Sequence, residues 1–226
     1  AIAFSSAEFE VLDSVFEDND CGLGEGDTDN DGGAISSEAS LGVIQGNLFD
    51  GNTAGDASDL IVTDSAGAVT IVQNSFLDGS TADSSSAGPS EWLGGAVVIG
   101  SNHVLLANNL FGGHSAAEGS SGLLVAWASS FTQVLNNLFI YGTSPDGGAI
   151  QFGPTVQSYF PATVANNIVV DNTGWGVYSG YPGQPGGLSN NDVWNNSLGL
   201  YTSTAILQPP PVFSLSVDPL FLSASD

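Results

Sequence analysis

The sequence predicts an all-β chain wound as a solenoid of about seven coils. Three observations predict it. A six-residue block recurs seven times, a second block keeps register with it, and the segments are short β-type runs punctuated by Gly and Asn.

The first block reads VLDSVF (11–16), IQGNLF (44–49), VQNSFL (72–77), LANNLF (106–111), VLNNLF (134–139), VANNIV (164–169) and LSNNDV (188–193). Its first position is always Val, Ile or Leu, and its third is Asn at Asn74, Asn108, Asn136, Asn166 and Asn190. Start-to-start spacings run from 24 to 34 residues, a period that fits several short strands per coil. The block predicts that Phe49, Phe111 and Phe139 stack in one internal column. Asn suits tight bends because it tolerates left-handed backbone angles and bonds nearby backbone. Stacked bends predict a ladder of Asn108, Asn136, Asn166 and Asn190, each amide bonding the next.

The second block reads DGGAIS (31–36), SDLIVT (58–63), GGAVVI (94–99), SGLLVA (121–126), DGGAIQ (146–151) and TGWGVY (173–178), with a weaker LGLYTS (198–203). No helical period persists in any of these runs. Two independent columns in one register make a chance repeat improbable.

These residues carry a resemblance. Gly32-Gly33-Ala34-Ile35, Gly94-Gly95-Ala96-Val97 and Gly147-Gly148-Ala149-Ile150, with Asn109-Leu110-Phe111 and Asn137-Leu138-Phe139, resemble the repeats of polymorphic outer-membrane proteins. More broadly, the chain resembles the pectate-lyase-like right-handed parallel β-helices. The ending Asp218-Pro219-Leu220-Phe221 is similar to the segment that closes many such domains. The resemblance spans about residues 9–221 and implies a right-handed parallel β-helix, a scaffold that hosts enzymes, adhesins and structural proteins alike.

Composition narrows the function classes. The 226 residues carry 24 acidic side chains and no Lys or Arg, for a formal charge of −24. Without cations the chain cannot displace counterions from nucleic-acid phosphate, hold an anionic membrane through a basic patch, or clamp phosphate with Lys or Arg. Hydrophobic residues at 42% exclude disorder as the explanation of the charge. The single Cys21 forbids an intrachain disulfide and leaves a free thiol or a pairing between chains. No apolar run approaches the ~18 residues of a membrane-spanning helix. The start, Ala1-Ile2-Ala3-Phe4, lacks the basic end and apolar stretch of a signal peptide, so either a leader was removed or the chain belongs to a longer precursor.

The expected organisation is a single β-helix domain over 1–226. Its N-terminal half, 1–91, has long loops and 18 of the 24 carboxylates; the short-looped half, 92–226, has 6. Asp27, Asp29 and Asp31, with Gly32 and Glu38, match the spacing of an EF-hand loop. The flanking sequence is strand-like rather than helical, so the alternatives are a Ca²⁺ ion in a non-EF loop and a solvated acidic loop. Glu17, Asp50 and Asp78 follow the first block on three successive coils. They read either as a carboxylate column bridged by a cation or as side chains splayed into water.

An enzyme on this scaffold has to work with carboxylates, because β-elimination with an Arg or Lys base is excluded. An inverting glycosidase would need two of them ~6.5–9.5 Å apart. His103 and His114 read either as acid–base groups or, as is more common, as bend or surface histidines. Trp92 and Trp175 are candidates for stacking a polysaccharide, while Trp127 and Trp194 read as core. Asn195-Asn196-Ser197 fits a glycosylation sequon. The functional expectation is an extracellular structural protein, secreted or on a cell surface: a stalk, an adhesin passenger or a self-associating filament subunit. The alternative is a carbohydrate-active enzyme using carboxylates.

Overall fold

The computed structural model describes residues 1–21, 32–64, 67–81, 94–101, 103–117, 119–125, 131–153, 160–179, 185–203 and 215–220. Every regular element among them is a β-strand, and all the strand pairs are parallel. The strands form three sheets, which the chain visits in turn on each pass.

Sheet A holds Ile2–Ser5, Ile35–Glu38, Leu60–Thr63, Val97–Gly100, Leu123–Val125, Thr143–Phe152, Thr173–Ser179 and Gly199–Ser203, with the short strands Thr53–Ala54, Ser80–Thr81 and Ser115–Ala116. Sheet B runs Glu8–Leu12, Leu41–Gln45, Val69–Val72, Val104–Ala107, Gln133–Leu135, Phe160–Ala165 and Pro185–Ser189. Sheet C runs Val15–Glu17, Leu48–Asp50, Ser75–Leu77, Leu110–Gly112, Leu138–Ile140, Ile168–Val170 and Asp192–Trp194. Sheets B and C therefore have seven strands each, stacked in chain order, an arrangement compatible with a parallel β-helix.

The pleat alternates side chains between core and exterior. In sheet C the inward position is Phe16, Phe49, Phe76, Phe111, Phe139, Val169 and Val193, all buried. The expected column of Phe49, Phe111 and Phe139 is present and gains Phe16 and Phe76. The five rings stack nearly parallel, with centroids 4.9, 4.7, 4.8 and 4.5 Å apart. This is the spacing of adjacent strands, about 4.8 Å.

Two registers differ from the sequence alignment. Phe76, not Leu77, pairs with Phe49 and Phe111, so the third copy of the first block starts at Ile71. In the second block, where the spacing to the next first block puts Ile35, Val62, Val97 and Val125 in one column, Leu60 and Leu123, rather than Val62 and Val125, align with Ile35 and Val97. A shift of two residues keeps the same face inward, so the apolar pattern alone does not reveal it.

The GGA segments are demanded by close approach. A Cβ at Gly95 would lie 1.9 Å from the Ser121 carbonyl oxygen, and one at Gly33 would lie 2.2 Å from that of Ser58.

Candidate functional site

Two corners flank sheet C, and each repeats one device. At the corner between sheets B and C, Asp13, Gly46, Gln73, Asn108, Asn136, Asn166 and Asn190 all take left-handed backbone angles, φ 46 to 70°. The next residue points inward. Thus Asn47, Asn74, Asn109, Asn137, Asn167 and Asn191 form the buried ladder, and Asn108, Asn136, Asn166 and Asn190 do not. Each ladder residue before Asn191 donates its backbone N–H and its Nδ2 to the Oδ1 of the Asn one pass further on, at 2.9–3.1 Å. The division of labour is physical: the first Asn of each pair tolerates the bend, and the second satisfies the buried backbone.

The corner between sheets C and A repeats the device with Asp18, Gly51, Asp78, Gly113, Tyr141, Asp171 and Asn195 at positive φ. No two carboxylates are neighbours in this column. The Asp18 and Asp78 Oδ1 atoms reach over Gly51 and Gly113, where a Cβ would lie 2.8 and 1.9 Å away, and Asn195 Nδ2 donates to Asp171 Oδ1. In this column, spacing keeps like charges apart without Lys or Arg.

The inward positions of this second corner are Asn19, Asn52, Gly79, His114, Gly142, Asn172 and Asn196. Asn19 donates to Asn52, and Asn172 to Asn196, at 2.8 Å. Between them the ladder is replaced by a different construction. At Gly79 the vacated space is taken from sheet A: a Cβ there would lie 2.4 Å from Ser58 Oγ and 3.0 Å from His114 Cδ2. Beside Ser58, Asp59 turns inward where Ala34, Ala96 and Ala149 stand on other passes. Its carboxylate accepts from Asn52 Nδ2 at 2.8 Å and meets His114 Nε2 at 2.8 Å, with Ser58 Oγ at 3.2 Å. A carboxylate is an acceptor, so the imidazole donates from Nε2. His114 is 1% and Asp59 0% exposed, so this hydrogen-bonded pair lies in the core.

On the other side of the imidazole, Ser121 Oγ lies 2.5 Å from where a Cβ of Gly142 would be. A cavity of about 10 Å³ is lined by His114, Ser121, Gly122, Gly142, Asn172 and apolar neighbours including Phe139. Ser121, His114 and Asp59 are the residue types of a nucleophile, base and orienting acid. The geometry does not make them one. Neither Ser121 Oγ nor His114 Nδ1 is hydrogen-bonded within the chain, and the cavity has room for about one water. The group works as core packing.

The expected site residues fare differently. Asp27, Asp29, Asp31 and Trp92 lie outside the described residues, as does Trp127. Glu17 pairs with Asp50 across sheet C, but Leu77, not Asp78, pairs with Asp50. Asp78 sits one residue on, in the corner column, so the three-carboxylate column is not formed. Among the described residues no group of three His, Cys, Asp or Glu side chains is placed to hold a metal ion.

Trp175 is half-buried in sheet A, its ring against Gly199, where a Cβ would lie 2.9 Å from the indole. Trp194 is corrected: Val193 fills the core, and Trp194 lies on the outer face of sheet C, half-buried. His103 is an exposed bend residue stacked on Phe131 at 5.0 Å, and Phe131 is 63% exposed. His114 follows the bend at Gly113 and is buried rather than at the surface. Cys21 is a free, half-buried thiol. Tyr201 packs against the core with its hydroxyl unpartnered, and burial pushes its pKa up from 10.0.

Sequence reasoning passed over Asp59. The signal was present: SDLIVT places a carboxylate where the other copies have Ala or Gly.

Outside the core, the last strands of sheet C expose a stripe of half-buried apolar side chains: Leu110, Leu138, Ile140, Ile168 and Trp194. No described helix is long and apolar enough to cross a membrane. Compared with protein-family models, curated proteins and solved structures, the chain matches none.

Proposed function

We propose that the chain is an extracellular structural protein, a right-handed parallel β-helix that serves as a stalk, an adhesin passenger or a filament subunit and associates with copies of itself. The right hand follows from the general rule for parallel crossovers. The observation that carries the reading is the apolar stripe Leu110, Leu138, Ile140, Ile168 and Trp194 on sheet C, in the half of the chain with only 6 of 24 carboxylates. An outward apolar stripe on a regular sheet supports a protein contact. A second copy suits it, because this half carries little of the charge that makes copies repel.

Association then strengthens with salt or Ca²⁺, which screen or bridge the −24 charge. Sedimentation velocity across protein concentration, in salt, Ca²⁺ and chelator, is the test. The expected result is a mass above 22.9 kDa that returns to monomer in the Leu110→Glu/Leu138→Glu variant. A strict monomer under every condition refutes the reading.

A second reading, polysaccharide binding, is favoured by the solvent-facing stack of His103 on Phe131. Retardation in polysaccharide-containing gels, lost in Phe131→Ala, would support it.

A further inference from the structure

Ser58 and Ser121 have the same relation to the corner. Each hydroxyl fills the space beside a glycine, Gly79 and Gly142 respectively, where the ladder would have an Asn side chain. His114 lies on the pass between those glycines, so its ring has one such construction on either side. The two differ at the following residue. After Ser58 comes Asp59, whose carboxylate engages His114 Nε2 at 2.8 Å. After Ser121 comes Gly122, which contributes no side chain, and the cavity of about 10 Å³ lies there.

Two polar atoms on residues lining that cavity have no partner in the chain, His114 Nδ1 and Ser121 Oγ, on side chains that are each 1% exposed. Asn172 Oδ1, which accepts from the Gly142 N–H at 2.8 Å, belongs to a third lining residue. Leaving buried polar atoms unpaired is costly. The lining is mostly apolar, but the cavity has room for about one sphere of water size, and unpaired buried polar atoms beside such a space are what draws water in, whereas purely apolar cavities stay dry. Water can both donate and accept, so it suits a ring nitrogen and a hydroxyl together.

We propose that this cavity is a binding site for one internal water molecule, held between His114 Nδ1 and Ser121 Oγ in the place that an Asp carboxylate takes on the other side of the ring. The water completes the hydrogen bonding of an imidazole whose other nitrogen is committed to Asp59, and it stands in the gap between the two Asn-linked parts of the corner.

The test has two arms. A crystal structure of the wild-type chain, at a resolution that shows ordered water, is expected to contain one peak within hydrogen-bond distance of both His114 Nδ1 and Ser121 Oγ; a dry cavity overturns the proposal. In solution, oxygen-17 relaxation dispersion counts long-lived internal waters. The Ser121→Gly/Gly142→Ala variant removes the hydroxyl and puts a methyl group in its place. With far-UV circular dichroism unchanged, it is expected to lose one long-lived water relative to wild type, and an unchanged count overturns the proposal. Should the variant not fold, the wild-type crystal structure decides alone.

Discussion

Replacing Asn137 by alanine tests the ladder at its centre. The Asn137 side chain is 2% exposed and makes four hydrogen bonds. Its Oδ1 accepts from Asn109 N at 2.9 Å and Asn109 Nδ2 at 3.0 Å, and its Nδ2 donates to Leu106 O and Asn167 Oδ1, both at 3.0 Å. The Asn137→Ala change would leave the Asn109 backbone N–H without its acceptor, leave Asn109 Nδ2 with the Ile71 carbonyl alone, and take this donor from the Leu106 carbonyl, while Asn167 Oδ1 keeps the backbone N–H of the substituted residue. At roughly 1–3 kcal/mol for a stranded buried group, the Asn109 N–H alone sets a loss of that size, and the half-satisfied Nδ2 adds to it. Asn136→Ala is the internal control. Its side chain is exposed and its φ is 55°, so the loss is the tolerance of the left-handed bend, roughly 1–2 kcal/mol. Urea unfolding followed by circular dichroism compares the midpoints of the two variants. Equal losses, or a loss at Asn137 below that at Asn136, would refute the assignment of the ladder to the second Asn of each pair.

Three further outcomes follow from the same packing. Phe76→Ala, stacked on both faces and 0% exposed, is expected to cost about 3–5 kcal/mol, and Phe16→Ala, at 8% exposure with a stacking partner on one face, distinctly less; chemical denaturation ranks them. Gly95→Ala is expected to unfold or strongly destabilise the chain because the Ser121 carbonyl is 1.9 Å from the new carbon, whereas Gly187→Ala, with its nearest atom at 3.8 Å, leaves the melting temperature nearly unchanged. Tyr201 has a pKa raised by burial, so its contribution is full below the unfolded value near 10 and fades as pH climbs through the higher folded value. Tyr201→Phe removes a buried hydroxyl without a partner, so its stability at neutral pH should match or exceed wild type, and the alkaline loss measured by thermal melts should shrink.

The sequence carried the architecture because the repeat is written in residues that only make sense when stacked. Phe49, Phe111 and Phe139 share a position in the block and share a column in the core. The same block misled at one point. Of two adjacent Asn residues, as at Asn108-Asn109, either can occupy a bend in principle, and spacing does not tell which faces inward. The structure separates them by backbone angle: Asn108 has φ 57°, and Asn109 is 3% exposed. The Asp59–His114 pair was harder to read, because its members are 55 residues apart and meet only when Gly79 withdraws its side chain from the pass between them. Asp78 shows the opposite error. A carboxylate after a strand looked like the third member of a column with Glu17 and Asp50, but a one-residue slip in the block alignment put it in the corner instead.

The ladder also has a mechanical meaning. Its amide bonds, like the backbone bonds of the sheets, join each pass to the next. Tension applied along the stack therefore loads all these links at once, and a tear starts where the fewest share the load. The B–C corner has an unbroken line of Asn-to-Asn links from Asn47 to Asn191. The C–A corner joins Asn19 to Asn52 and Asn172 to Asn196 but has no such link on the passes of Gly79, His114 and Gly142. One long edge of the molecule is a continuous seam and the other is a seam with a gap. A pulled molecule would peel from the gapped edge at the middle passes, hinging on the stitched one.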